Sequence, residues 1–267
     1  MEFMEWYLAY LLLGAFVGFF AGLFGIGGGL VLVPVLSFLF EAQHLGGAQN
    51  LHLALGTSMA AILYTAASSA YTHYVHGAVN MSIVRGMTPG LLSGTLLGAL
   101  FASSVSQFYL AIFFALFVYF SAAQMLLELK PKATRQLPER TGLTLIGGGI
   151  GAISSLVSIG GGSLSVPFML WHNIPFKQAI GTSAALGFPI ALGGTTGYVA
   201  TGLMMHTLPD GTLGFVYLPA LFMLIFGSAF TTPLGAKATH SLPLKPLRRG
   251  FAVLLLVLAT KMLLKAF

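Results

Sequence analysis

The chain has 267 residues, of which 57% are hydrophobic and only 7% charged, against about 25% charged in an average soluble domain. That composition excludes a soluble globule of this size and points to a multi-pass membrane protein. The net charge of +6 sits mostly in two loops and at the chain end, a membrane-topology bias rather than a nucleic-acid-binding face, and the absence of cysteine excludes disulfides and thiolate sites.

The first residues, Met-Glu-Phe-Met-Glu, lack the basic region of a signal peptide, so the run Tyr7–Phe24 is expected to persist as a helix. It ends in a glycine string, GIGGGLVLVPVL at 25–36, followed by a short helix near Leu30–Phe40. At about 1.5 Å per residue that helix covers roughly half the hydrocarbon thickness. Long helices are predicted near Leu53–His73, Met87–Ser104 and Phe108–Leu129, and then a basic, proline-containing seam at Lys130–Arg140. Beyond it come Leu143–Ser158, a second glycine string (SIGGGSLSVPFM, 158–169), and a short helix near Ser163–Trp171. Helices near Ala179–Val199, Val216–Thr232 and Phe251–Ala266 complete the series.

The second half echoes the first in the same order. The glycine strings stand 133 residues apart, Gly56-Thr57-Ser58 and Gly181-Thr182-Ser183 stand 125 apart, and two further pairs, Gly98-Ala99 with Gly235-Ala236 and Met125–Leu127 with Met262–Leu264, stand 137 apart. The expected architecture is all-α and polytopic: two repeats of four to five segments, 1–129 and 143–267, joined by a basic cytoplasmic linker at 130–142. Basic loops at the seam and at Lys237–Arg249 face the cytoplasm under the positive-inside rule, and Glu41 and the loop Thr201–Gly214 face outward. This requires an odd net number of crossings per half, hence inverted topology. Lys261 and Lys265, on the outer C-terminal end, run against the bias.

Gly27, Gly28, Gly29 and Gly160, Gly161, Gly162 are the leading site residues. Three successive glycines weaken a helix beyond what close packing needs, and they leave the first amides of the following half-helix unshielded. Two such positive helix ends facing each other would hold an anion without a buried lysine or arginine. Thr57, Ser58, Thr182 and Ser183 are candidates to complete the shell with neutral hydroxyl donors, although hydroxyls on membrane helices commonly bond back one turn. Ser163 and Ser165 are weaker candidates. Gly14, Gly18 and Gly22, with Gly94, Gly98, Gly147 and Gly151, read as small-residue contact stripes. His73 and His76, near Arg85, are either interfacial anchors or an anion-collecting mouth.

All six carboxylates fall near predicted helix ends or loops, so the mid-membrane relay of a proton- or sodium-coupled pump is missing. No nucleophile motif, metal-ligand spacing or phosphate loop is present, and neither an enzyme, a cofactor nor a metal is expected.

On the string G-x-x-A-G-L-F-G-I-G-G-G-x-x-x-V-P at 18–34, its echo at 147–167 and the two G-T-S helices, the chain resembles the sulfite exporter TauE/SafE family over nearly its whole length. The resemblance implies a cell-membrane permease for small sulfur-containing anions such as sulfite, sulfoacetate or related organosulfonates. Its partners would be that anion and the lipid bilayer, with homo-oligomerisation left open. An anion channel and a non-transporting membrane scaffold are the alternatives.

Overall fold

A computed structural model describes residues 2–127, 136–205, 207–239, 241–242 and 244–266. Its helices follow the predicted order: α1 (Glu2–Phe24), α2 (Gly29–Ala42), α3 (Asn50–Val75), α4 (Met81–Ser104), α5 (Gln107–Leu126), α6 (Arg140–Leu156), α7 (Gly162–Trp171), α8 (Phe176–Gly202), α9 (Leu218–Ala238) and α10 (Leu244–Ala266). Met4–Phe24, Gly47–Val75, Gln107–Leu126 and Leu218–Ala238 are long and apolar enough to cross a membrane. The protein is an all-α, polytopic membrane protein.

Several helices begin earlier than their apolar runs. α4 starts at Met81 rather than Met87 because the Asn80 side chain caps it, accepting from the Ser82 and Ile83 amides. One boundary is corrected: Val216 and Tyr217 are not helical but pair antiparallel with Thr212 and Leu213 as a ribbon (β1, Thr212–Leu213; β2, Val216–Tyr217). α9 starts just after it, with Pro219 in the first turn, where a missing N–H costs nothing. Seam residues 128–135, including Lys130, Lys132 and Arg135, lie outside the described residues.

α1 packs along α9, and α4 along α6. The glycine stripes are the seams. Gly14, Gly18 and Gly22 face Leu224, Ser228 and Thr232 in turn, and a Cβ on Gly22 would stand 2.2 Å from the Thr232 carbonyl oxygen. Gly147 and Gly151 lie likewise against Met87 and Leu91, and Gly94 and Gly98 against Gly148 and Ala152. In lipid no hydrophobic force drives helices together, so backbone approach of this kind supplies the van der Waals contact. Residue numbers rise together along both seams, so each pair is parallel. α3 and α8 run antiparallel, with Met59 on Gly194 and Ala66 on Gly187.

The contacts recur at the offsets of the sequence echoes. Gly56 faces the Phe215 carbonyl, and Gly181 faces that of Ala78. The phenylalanines at the end of α1, unexplained by the sequence, seat α10: Phe20 stacks on Phe251 at 4.9 Å and 27°.

Candidate functional site

At the first break the chain turns through left-handed conformations at Gly25 (φ 65°), Gly27 (76°) and Gly28 (82°), and at the second through Ser158 (46°) and Gly161 (82°). A Cβ is disfavoured there by roughly 1–2 kcal/mol, which is why Gly28 and Gly161, the N-caps of α2 and α7, are both glycine. Ser158 is the exception, standing where the first half has Gly25, and its hydroxyl donates to the Leu55 carbonyl at 2.6 Å. Replacing it with glycine removes that bond but relieves the backbone. We expect Ser158→Gly to shift stability by less than about 1 kcal/mol, whereas β-branched Ser158→Val should be strongly destabilising, as thermal melts in detergent would show.

The two breaks meet backbone to backbone. The Gly160 amide donates to the Ile26 carbonyl at 3.1 Å, so this candidate donor is already engaged. A Cβ on Gly27 would lie 2.8 Å from the Gly160 Cα, and one on Gly29 only 1.5 Å from the Ser158 carbonyl oxygen. Intrahelical bonding in α2 starts with the Val31 and Leu32 amides on the Gly28 carbonyl, and in α7 with those of Leu164 and Ser165 on that of Gly161. The amides of Gly28, Gly29 and Leu30, and those of Gly161, Gly162 and Ser163, precede these bonds, so two positive helix ends come together in the core.

Beside the junction lies a void of about 10 Å³, room for one water, lined by Gly25, Gly27, Gly160 and Gly187 with Thr65 and Ser69 of α3. The Thr65 hydroxyl donates to the Ile62 carbonyl, whereas the Ser69 Oγ, 98% buried by side chain and backbone around it (2% exposed), has no hydrogen-bond partner among the described residues. Neither residue figured among the sequence candidates. Their echo positions hold Ile190 and Gly194, so a search for repeated hydroxyls passes over them.

The Gly-Thr-Ser residues do different work. Thr57 accepts the Tyr217 amide at 2.9 Å and Thr182 accepts that of Asn80 at 2.8 Å, each fastening the start of a helix from the other half. Ser183 donates to the Gly25 carbonyl at 3.1 Å and accepts from Ser165, tying α8 to the first break. Ser58 is fully buried, and its Oγ has no partner among the described residues. None of the four lines the void. His73 is fully buried, its Nε2 3.4 Å from the Gly22 carbonyl oxygen, so it is not available to an open mouth. Glu5, Glu41, Glu139 and Asp210 are exposed, away from the junction.

A second cavity, of about 1000 Å³, opens at one end of the bundle between the α2–α3 connection, the start of α5 and the end of α10. Contacts gather the chain start, the end of α2, the ribbon and the end of α10 at this end: Gln43 donates to the Tyr10 hydroxyl, Phe40 lies 5.5 Å from Tyr217, and Lys265 pairs with Glu41. That ion pair supplies a local reason for a cation on the side the charge bias makes outer.

Parallel small-residue seams and two half-helices that begin at one buried junction are the architecture of a multi-pass membrane protein, and among the described residues no carboxylate lies in its core. The family model for the sulfite exporter TauE/SafE matches residues 10–262, and the chain belongs to that family. It is 39% identical over 259 residues to a probable membrane transporter protein of Haemophilus influenzae, covering 96% of this chain and 97% of that one. A probable membrane transporter protein of Bacillus subtilis, YdhB, is 29% identical over 85% of this chain and 88% of its own. One from Methanocaldococcus jannaschii is 24% identical over 95% and 94%. No solved structure matches.

Proposed function

We propose that the protein exports small sulfur-containing oxyanions (sulfite, sulfoacetate or a related organosulfonate) through the junction of the two glycine breaks. The observation that carries this is the void there: uncharged, walled by glycine backbone and small side chains, beside two helix N-termini and lined by Ser69, whose hydroxyl has no partner among the described residues. Amide and hydroxyl donors suit an oxyanion, and the exclusion of lysine and arginine keeps binding weak enough for release.

The two halves act as an inverted repeat. Support comes from the antiparallel packing of the echo helices α3 and α8, the Gly27–Gly160 contact that pairs echo positions, and the exchange of first helices between halves. The junction as described is shut, and passage requires α2 and α7 to part along a glycine-to-glycine contact. With no carboxylate among the described residues at the junction, flux follows the anion gradient and the membrane potential, about 2.3 kcal/mol per charge per 100 mV.

Proteoliposomes loaded with sulfite or sulfoacetate test the reading. Ser69→Ala removes a buried group with nothing to bond, so the melting temperature should hold or rise while the KM for export increases several-fold. Unchanged transport by that variant, or flux that is electroneutral and strictly dependent on a proton gradient, would remove the assignment.

A further inference from the structure

The large cleft at the Glu41–Lys265 end is not explained by the junction. Ser37, the α2 residue of its wall nearest the break in sequence, is eight residues beyond Gly29, about 12 Å along the helix, so cleft and junction are separate places. We propose that this cleft is a second binding site, a rim site for an oxyanion (sulfate, sulfite or a phosphate group) held by Lys265, the Gln107 carboxamide and the first turn of α5.

Three features give the cleft its sign. Gln107 uses its Oε1 to accept the Leu51 amide at 3.3 Å, which fixes the carboxamide and leaves its NH₂ as the donating end. α5 begins at this residue, its first intrahelical bond is Leu110 to Ser106, and Ser106 makes no side-chain cap, so the positive end of the helix dipole stands at the wall. Lys265 supplies full charge, its Nζ lying 5.1 Å over the Phe38 ring and paired with Glu41, the one carboxylate in the wall among the described residues. Both members of that pair are about half exposed, 44% and 54%, so the lysine can turn from the carboxylate to an incoming anion at little cost.

Glu41 is therefore a competitor for the lysine, and the two residues must respond in opposite directions. This site shares an oxyanion ligand with the function proposed above but none of its residues. Isothermal titration of the full chain in phosphatidylcholine nanodiscs, with sulfate and inorganic phosphate as probes, reads it directly. Binding should saturate, tighten about three- to fivefold in Glu41→Gln and weaken by a similar factor in Lys265→Gln. Gln107→Glu keeps the acceptor for Leu51 but turns the donor end into a carboxylate, and should weaken binding at least as much. Ser69→Ala should leave these isotherms unchanged, which separates this site from the junction.

Repeating the titration with phosphatidylglycerol distinguishes the source of the oxyanion. Unaltered sulfate affinity marks a free solute, and competition marks a lipid headgroup in the same cleft; either result supports the site. Absence of saturable binding by both probes and by lipid, or shifts of the same sign in Glu41→Gln and Lys265→Gln variants whose melting temperatures are native, would overturn it.

Discussion

Gly29→Ala should leave little folded protein. The added methyl would stand 1.5 Å from the Ser158 carbonyl oxygen, an overlap with backbone that no rotamer change relieves. Overpacking in a well-filled core ordinarily costs about 1–3 kcal/mol, and a clash between two main chains lies at or above the upper end. Gly149→Ala is the matched control: it sits in α6 with nothing within 4 Å of the new Cβ, and alanine is the better helix former by about 1 kcal/mol. Fluorescence-detected size exclusion should show an aggregated or absent peak for the first variant and a native or sharper one for the second. A monodisperse Gly29→Ala protein with an unchanged melting temperature would mean that the two breaks are not in contact.

Thr57→Val and Thr182→Val form the second test, because each keeps shape and deletes the acceptor of one cross-half bond. The stranded amides are those of Tyr217 and Asn80, both partly buried, and each loss should cost about 1–2 kcal/mol. The serine versions retain the oxygen and should recover most of that. Because the two bonds share no partner, the double variant should lose roughly the sum of the single effects. If either valine variant melts with the native protein, its hydroxyl is not a fastener, and contact with a ligand becomes the better account of that residue.

These two tests also mark where the sequence could be read and where it could not. A glycine triplet followed by a proline announces a half-helix because it removes side chains altogether, and its second copy 133 residues later announced that two such ends belong together. The helices were legible for the same local reason, while their first turns were not: Asn80 and Arg85 are polar, and the capping bonds that extend α4 depend on geometry rather than hydropathy. The threonines show a different limit. Thr57 bears a hydroxyl whose partner is an amide 160 residues away, so repetition marked it as special but could not separate a fastener from a ligand. Ser69 was invisible because the second half has Gly194 at its place, and the rim cleft was invisible because segments far apart in the chain build it.

The parallel seams carry a consequence for how the molecule is made. α1 lies against α9, which is translated some two hundred residues later, and at roughly 5–20 residues per second the delay is on the order of tens of seconds. Throughout that interval the first span presents its glycine ridge to lipid or to the insertion machinery. A ribosome stalled at the seam would leave the first helix stranded, so biogenesis of this protein has to tolerate an early segment waiting for a late one.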